Sequence, residues 1–320
     1  MSGHHLILGG CGFIGRHVAV LLAREGHRVT LADRAPLAQP MPTDVADSVA
    51  SQSLEFGSAD WDALVADADV VHHYAWGSLP ASANANPGGD LLTNVGATIS
   101  LLDALHRRGG GRVVFSSSGG TVYGKLRQTP VPEDHPVAPI SAYGAGKATA
   151  EVYLGLYRSM HGLDCRIARI ANPYGAGQDL SRGQGAVTTF LHHALMHRPI
   201  TIWGTGEVVR DYIHIADVAQ CLVMLALSAR TEAFVFNVGS GAGISLNQIV
   251  SELETRLGRT LDVSRTAIRP FDAPVSILQI DRAREILAWS PTLSFADGIA
   301  RTLEDISAGR HYSTLGAPCR

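Results

Sequence analysis

Short apolar runs alternate with longer amphipathic stretches through the first half of the chain. Runs at residues 5–8, 28–32, 54–56, 70–73, 112–116 and 165–170 are mostly apolar throughout rather than alternating, as expected of strands covered on both faces. Between them, residues 12–25, 60–66, 89–107 and 142–160 carry helical patterns. This strand–helix alternation predicts an α/β fold built on a doubly wound parallel sheet. Beyond Asn172 the pattern changes: loops rich in Gly, Pro and Arg separate shorter elements. Helices are predicted near 187–197, 216–228, 246–257, 283–287 and 295–307, and strands at 201–203 and 234–238. The expected organisation is a first domain over residues 1–172, with parts of 205–240 returning to it, and a smaller, interleaved substrate-binding lobe over 173–320. Residues 36–42 and 129–139 read as surface loops.

Composition narrows the class. With 320 residues, 46% of them hydrophobic, the chain can bury a large core. A net charge of -3 leaves no electrostatic footprint for nucleic acid or an anionic membrane, so neither is expected as a partner. No stretch approaches the roughly 20 apolar residues that span a bilayer, and the N-terminus lacks the basic region of a signal peptide. Cys11, Cys165, Cys221 and Cys319 are few and irregularly spaced, which points to free thiols and a cytoplasmic setting. His192, His193 and His197 have no further ligand type grouped with them, so no metal is expected.

Candidate chemistry begins at Gly9-Gly-Cys-Gly12-Phe13-Ile14-Gly15, directly after the first apolar run. The first glycine permits a tight turn, the second lets the backbone approach a pyrophosphate, and the third lets helix pack on strand. The helix N-terminus adds free N–H groups and a partial positive charge. Asp33 ends the second predicted strand, 18 residues after Gly15. A carboxylate there accepts from ribose hydroxyls and repels a 2′-phosphate, which favours NAD over NADP. Arg34 beside it weakens that preference.

A second constellation lies downstream. Residues 112–118 run into a turn, placing Ser116, Ser117 and Ser118 where substrates bind in open α/β sheets. Tyr143 and Lys147 follow, one helical turn apart and therefore on one face. A lysine charge beside a phenol lowers its pKa, so the pair can act as a base near neutral pH.

These motifs together, over about residues 4–308, resemble the extended short-chain dehydrogenase/reductases, in particular their NAD-dependent sugar-nucleotide epimerase/dehydratase branch. The resemblance implies a Rossmann-type fold with NAD held by Gly9, Gly12, Phe13, Ile14, Gly15, Asp33 and Arg34. His73-Tyr74-Ala75-Trp76 looks like the loop beside the nicotinamide ribose, and Asn94 like the family's structural asparagine. It implies further NAD contacts at Ser116, Tyr143, Lys147 and Pro173, with Tyr143 and Lys147 as the acid–base pair. For the substrate it implies Asn172 on the sugar diphosphate, Thr201 and Trp203 on the nucleotide base, and Arg210 as the diphosphate clamp. Arg269 and Asp272 resemble the family's C-terminal phosphate and ribose pair, and Val187 and Thr121 join the substrate set. A homodimer formed by the two long apolar helices is implied on the same ground.

Within that family, dehydratases carry Thr-Asp-Glu before Val-Tyr-Gly, because elimination of water needs an acid and a base. Here the corresponding residues are Gly119-Gly120-Thr121. The expected reaction is therefore 4-epimerisation of a nucleotide-diphospho-sugar, a UDP-hexose being favoured, through a transient 4-keto sugar. A sugar-nucleotide 4-ketoreductase or dehydratase is the alternative, and a non-catalytic NAD(H)-sensing protein a third reading. Counting along the strand puts the catalytic hydroxyl on Ser118, with Thr121 in reserve. Ser276, four places after Asp272, falls where the family's UDP-hexose 4-epimerases gate the sugar's 2-substituent, so room for a 2-acetamido group is expected.

Overall fold

Five of the six apolar runs of the first half fold into one sheet. In this computed structural model residues 2–179, 185–267 and 274–312 are described. The chain forms β1 (His4–Leu8), α1 (Phe13–Arg24), β2 (Arg28–Asp33), β3 (Val49–Ser53), α2 (Trp61–Val65), β4 (Val70–His73), α3 (Pro80–Ala85) and α4 (Pro87–Arg107). These are followed by β5 (Arg112–Ser118), α5 (Ala142–His161), β6 (Asp164–Ile170), β7 (Asn172–Tyr174), α6 (Ala186–Leu195), β8 (Ile200–Trp203), β9 (Val209–His214) and α7 (Ile215–Leu227). The remainder comprises β10 (Val235–Val238), β11 (Gly243–Ser245), α8 (Leu246–Leu257), β12 (Val263–Thr266), β13 (Val275–Ser276), α9 (Asp281–Leu287) and α10 (Phe295–Ser307).

Contacts divide the chain into two units. The first holds residues 1–125, 134–170 and 219–236; the second holds 126–133, 171–218 and 237–320. The boundary runs through α7 and β10.

The seven-stranded sheet of the first unit has the order β10-β6-β5-β4-β1-β2-β3, and β1 to β6 pair in parallel. From β1 the order runs one way through β2 to β3 and the other way through β4 to β6. That reversal opens a crevice at the C-terminal strand ends, where ligands of doubly wound folds bind. Leu6, Leu101, Leu102, Leu105, Phe115, Leu154 and Ile167 pack one face of the sheet against α4 and α5. The two helices have explicit start signals. The Asn86 side chain accepts from Gly89 N at 3.1 Å ahead of Pro87, and Ser141 Oγ accepts from Gly144 N at 3.1 Å. Gly162, with φ of 69°, ends α5.

The expected strand at 54–56 is the main departure in this unit. The strand is β3, five residues earlier, and Phe56–Ser58 form a 3-10 turn. β3 is an edge strand held by backbone pairing to β2, and four of its five side chains are exposed. An edge strand needs no apolar face, so the pattern Val-Ala-Ser-Gln-Ser hides it, while Leu54 goes to the core.

In the second unit β9 pairs with β7, β11 and β13, and β8 pairs with β12. Its core gathers Tyr174, Phe190, Leu191, Ile202, Leu253 and Ile299. The buried carboxylate of Asp217 accepts from Thr292 N at 2.8 Å and Thr292 Oγ1 at 2.9 Å, tying α7 to the segment before α10. β7, β11 and β13, of two or three residues, carry too little pattern to be read from sequence, and β9 and β12 were not anticipated either, their pairing being with distant segments. No helix among the described residues is long and apolar enough to cross a membrane.

Leu101 is fully buried between α4 and the sheet. Leu101→Ala is expected to destabilise the protein by about 3 kcal/mol, the transfer and cavity cost of a core leucine. A lower urea midpoint with an unchanged slope checks this; an unchanged midpoint would contradict the assigned packing.

Candidate active site

The turn after β1 is shaped by close backbone approach. Gly9 has φ of 77°, and a Cβ there would lie 2.6 Å from Ala75 N. A Cβ at Gly15 would lie 2.4 Å from the Gly9 carbonyl oxygen. Gly12 begins α1 with no side-chain cap and no acidic residue in the first turn, so the helix N-terminus keeps donors for an anion. The space over Gly12 is open: a Cβ there would meet only the Gly9 oxygen, at 3.1 Å. Phe13 and Ile14 are half-buried, and the Phe13 carbonyl is held by His17 Nδ1 at 2.7 Å.

Asp33 stands at the end of β2 beside this turn. Its carboxylate accepts from Cys11 N at 3.1 Å and Ala35 N at 3.2 Å, while Arg34 is exposed. Uncapped donors, open space over a glycine and a fixed carboxylate at the next strand end fit a dinucleotide. The Cys11 thiol is pushed up to about 11 by burial and then by Asp33, so it stays protonated at neutral pH.

Across the switch point, β4 leads into Tyr74, Ala75 and Trp76. The Tyr74 hydroxyl is bonded to His72 Nδ1 at 2.7 Å, and His72 Nε2 to His5 Nδ1 at 2.9 Å. Asn94 in α4 accepts from Gly77 N at 2.7 Å and donates to Asp90 Oδ1 at 2.8 Å, which fixes the segment after Trp76. Asp90 also accepts from Ser78 Oγ.

Tyr143 and Lys147 project from α5 onto this ground. Lys147 is buried; its Nζ donates to the Ser116 carbonyl at 2.7 Å and lies 4.0 Å from the Trp76 ring centre and 5.9 Å from that of Tyr143. Burial lowers the Lys147 pKa to about 7, against the raising pull of Glu151 and Asp90. Burial also pushes the Tyr143 phenol up to about 12, with Asp90 adding to it. The phenol is thus not lowered, as the spacing alone suggests. Desolvation outweighs that expected lowering.

The hydroxyls at the end of β5 sort by face. Ser116 Oγ reaches the His73 carbonyl at 3.5 Å, and Ser117 Oγ donates to Glu151. Ser118 is half-buried, and its carbonyl accepts from Thr121 N and Val122 N in the turn. Thr121 Oγ1 is buried with no hydrogen-bond partner among the described residues. Ser118 thus ends β5, and Thr121 lies in the turn that follows it.

The second unit brings other candidates together in one sheet. Asn172 and Pro173 in β7 stand opposite Tyr212 and Ile213 of β9, and Ser276 of β13 stands opposite Arg210 of β9. Asn172 Nδ2 donates to the Asp211 carbonyl at 2.8 Å. Asp211 itself is buried, and its carboxylate accepts from Ser240 N and Oγ, both at 2.7 Å, so it serves the loop after β10. Thr201 and Trp203 share the exposed face of β8, and Trp203 is 45% exposed. The Val187 side chain is fully buried in the core of this unit, so only its backbone can face a ligand. Arg269 and Asp272 lie outside the described residues. No cluster of three or more metal-ligating side chains occurs among the described residues.

A doubly wound parallel sheet with this glycine turn and a Tyr–Lys pair on the adjoining helix defines a dinucleotide-dependent enzyme of the short-chain type. Residues 5–239 match the sequence model of the NAD dependent epimerase/dehydratase family; the chain belongs to that family, and its cofactor is NAD. A UDP-glucose 4-epimerase of Mycolicibacterium smegmatis is 34% identical over 310 residues, 93% of this chain and 97% of that protein. A dTDP-4-dehydro-6-deoxyglucose reductase of Escherichia coli is 31% identical over 322 residues, 94% of this chain and 96% of that one. The crystal structure of the Thermotoga maritima UDP-glucose 4-epimerase with UDP-glucose superposes with a TM-score of 0.88 at 30% identity, covering 96% of this chain and 99% of that chain. The activity is that of an NAD-dependent sugar-nucleotide epimerase or a related enzyme.

Two acidic residues escaped the sequence reading. Asp90 looks like an ordinary helix N-terminal acid, and Glu151 like a polar residue inside α5. Their spacing from Asn94 and Lys147, four residues in each case, is the one signal that places them on the same helix faces.

The turn separates two glycine effects. Gly15→Ala is expected to disrupt the turn and lower thermal stability. Gly12→Ala is expected to fold normally yet bind NAD at least about tenfold more weakly, by filling the space over the helix N-terminus. Thermal melting checks the first and titration calorimetry with NAD the second; wild-type affinity in folded Gly12→Ala protein would remove this turn from the cofactor site.

Proposed function

We propose that the protein is a UDP-hexose 4-epimerase. The observation carrying this reading is the turn after β5. Gly119, whose N–H donates to the Ile170 carbonyl, Gly120 and Thr121 stand there, so positions 119–121 offer no carboxylate for elimination. The charge of Asp90 is felt at the Tyr143 phenol, but hydrogen bonds from Ser78 and Asn94 occupy its carboxylate, so it is poorly placed to move protons.

Tyr143 takes the proton of the sugar 4-hydroxyl and later returns it. Ser118, or Thr121, donates a hydrogen bond to the same sugar oxygen. Lys147 presents its charge beside the phenol, which favours the phenolate as the proton arrives. When bound at the glycine turn by Gly9, Gly12, Gly15 and Asp33, NAD would supply a reversible hydride acceptor for carbon 4 of the sugar. In the second unit Arg210 supplies a forked donor for the diphosphate, Asn172 an amide, and Thr201 with Trp203 a half-exposed platform for the base. Arg269 and Asp272 complete the nucleotide set in this proposal, and the small side chain of Ser276, next to Arg210, leaves room for a 2-acetamido group.

The reductase relative supports a second reading, a 4-ketoreductase on the same scaffold. Redox balance separates the two. An epimerase converts UDP-glucose to UDP-galactose with no net change in NADH absorbance, whereas a reductase consumes reduced cofactor in proportion to product. NMR of a UDP-sugar panel, with UDP-N-acetylglucosamine included, is expected to show epimers of both plain and acetamido sugars. Stoichiometric NADH consumption would overturn the epimerase reading, and inactivity on the acetamido sugar would overturn the role of Ser276. Tyr143→Phe is expected to lower kcat by about a thousandfold while bound NAD is retained; near-normal turnover would exclude Tyr143 as the base.

Dimerisation is proposed through α4 and α5, where Leu92 is 77%, Val152 69% and Met160 65% exposed. Sedimentation of the purified protein is expected to show a dimer. A monomer at micromolar concentration would refute this.

A further inference from the structure

Behind the acid–base pair lies a charged network that proton transfer itself does not use. Glu151 follows Lys147 by four residues and Tyr143 by eight, so all three occupy one face of α5. Its carboxylate is buried and accepts from Ser117 Oγ of β5. It also accepts a fork from Arg169 of β6, with Nη2 at 2.6 Å and Nε at 3.1 Å. Ser117 and Arg169 are direct cross-strand partners in the sheet. One carboxylate therefore binds adjacent strands at the same level. The Arg169 guanidinium is buried too and lies 4.8 Å from the Tyr123 ring centre. The strand position fixed in this way sits between Ser116, whose carbonyl holds Lys147, and Ser118, the candidate hydroxyl.

We propose that Glu151, held by Ser117 and Arg169, is a positioning residue for the acid–base pair: it fixes α5 against the end of β5 and supplies a facing negative charge for Lys147. Packing alone does not explain the arrangement, because a buried ion pair is no more stabilising than apolar residues of similar volume. Here the ion pair ends one helical turn from the ammonium. The other groups facing Lys147 are His73 from β4, Asp90 from α4 and Tyr143 from α5 itself; β5 offers only the Ser116 carbonyl and the Phe115 ring. His73 is held neutral by burial, its pKa lowered to about 3, so Asp90 and Glu151 are the two carboxylates that support the ammonium.

The inference rests on the proposed acid–base pair, yet it can be tested without turnover. The chain contains only two lysines, Lys147 and the exposed Lys125. Labelling lysine with carbon-13 at Cε gives two resonances, and Lys125→Arg assigns them. Glu151→Gln keeps the shape and one accepting oxygen, but removes the charge and replaces the second acceptor with an NH2 donor. It is expected to lower the Lys147 titration midpoint by about one pH unit, the effect of one charge at this range under a moderate effective dielectric. The alkaline limb of kcat/KM is expected to move down with it. An unchanged Lys147 midpoint in folded Glu151→Gln protein would overturn the proposal, whatever the reaction proves to be. Ser117→Ala removes one bond of the network and no charge. It is expected to lower kcat about tenfold with little change in KM or in the Lys147 midpoint. Full kcat in Ser117→Ala would overturn the positioning role even if Glu151→Gln failed to fold.

Discussion

The buried ammonium of Lys147 is the constraint on which the rest of the site depends. Removing such a group from water costs several kcal/mol, and the ion stays charged only if donors' partners and opposite charges surround it. The Ser116 carbonyl, the faces of Trp76 and Phe115, and the carboxylates of Asp90 and Glu151 supply that environment. They come from four parts of the first unit: β5, the segment after β4, α4 and α5. Displacing any one would leave the charge poorly compensated, so the ammonium couples the positions of all of them.

The same constraint explains the balance of proton affinities. Burial brings Lys147 down to about 7 and pushes Tyr143 up to about 12. The Tyr143 phenol is not poised as a base in the protein alone. A base at Tyr143 therefore requires further positive charge, which is consistent with a site that works only when its cationic cofactor is bound. The second unit has a different economy: its buried Asp211 is satisfied by loop N–H and hydroxyl donors and stabilises local structure rather than chemistry.

Much of the fold was legible because its signals are local. Five of the six strands expected in the first half occur within two residues of their predicted bounds, since parallel strands covered on both faces read as apolar runs. The exception, β3, is an edge strand that pairs through its backbone and shows polar side chains. The second unit was harder to read because strands as short as β11 and β13 take their partners from distant sequence. In the site, the glycine turn and the Tyr143–Lys147 spacing were visible directly. Asp90 and the Glu151–Arg169 pair were not, since a single acid on a helix has no signature until its partner is known.

The sequence by itself determined the alternation of strand and helix, the dinucleotide turn, the carboxylate at the end of β2 and the placing of Tyr143 and Lys147 on one helix face. All of these are set within a turn or two of chain by periodicity and backbone sterics. Only the tertiary structure decided that Ser117 and Arg169 stand side by side to hold Glu151, that Ser276 stands opposite Arg210, and that burial reverses the expected shift of the Tyr143 phenol. Those outcomes depend on strand register and on desolvation. Both arise when segments far apart in the chain come together and exclude water.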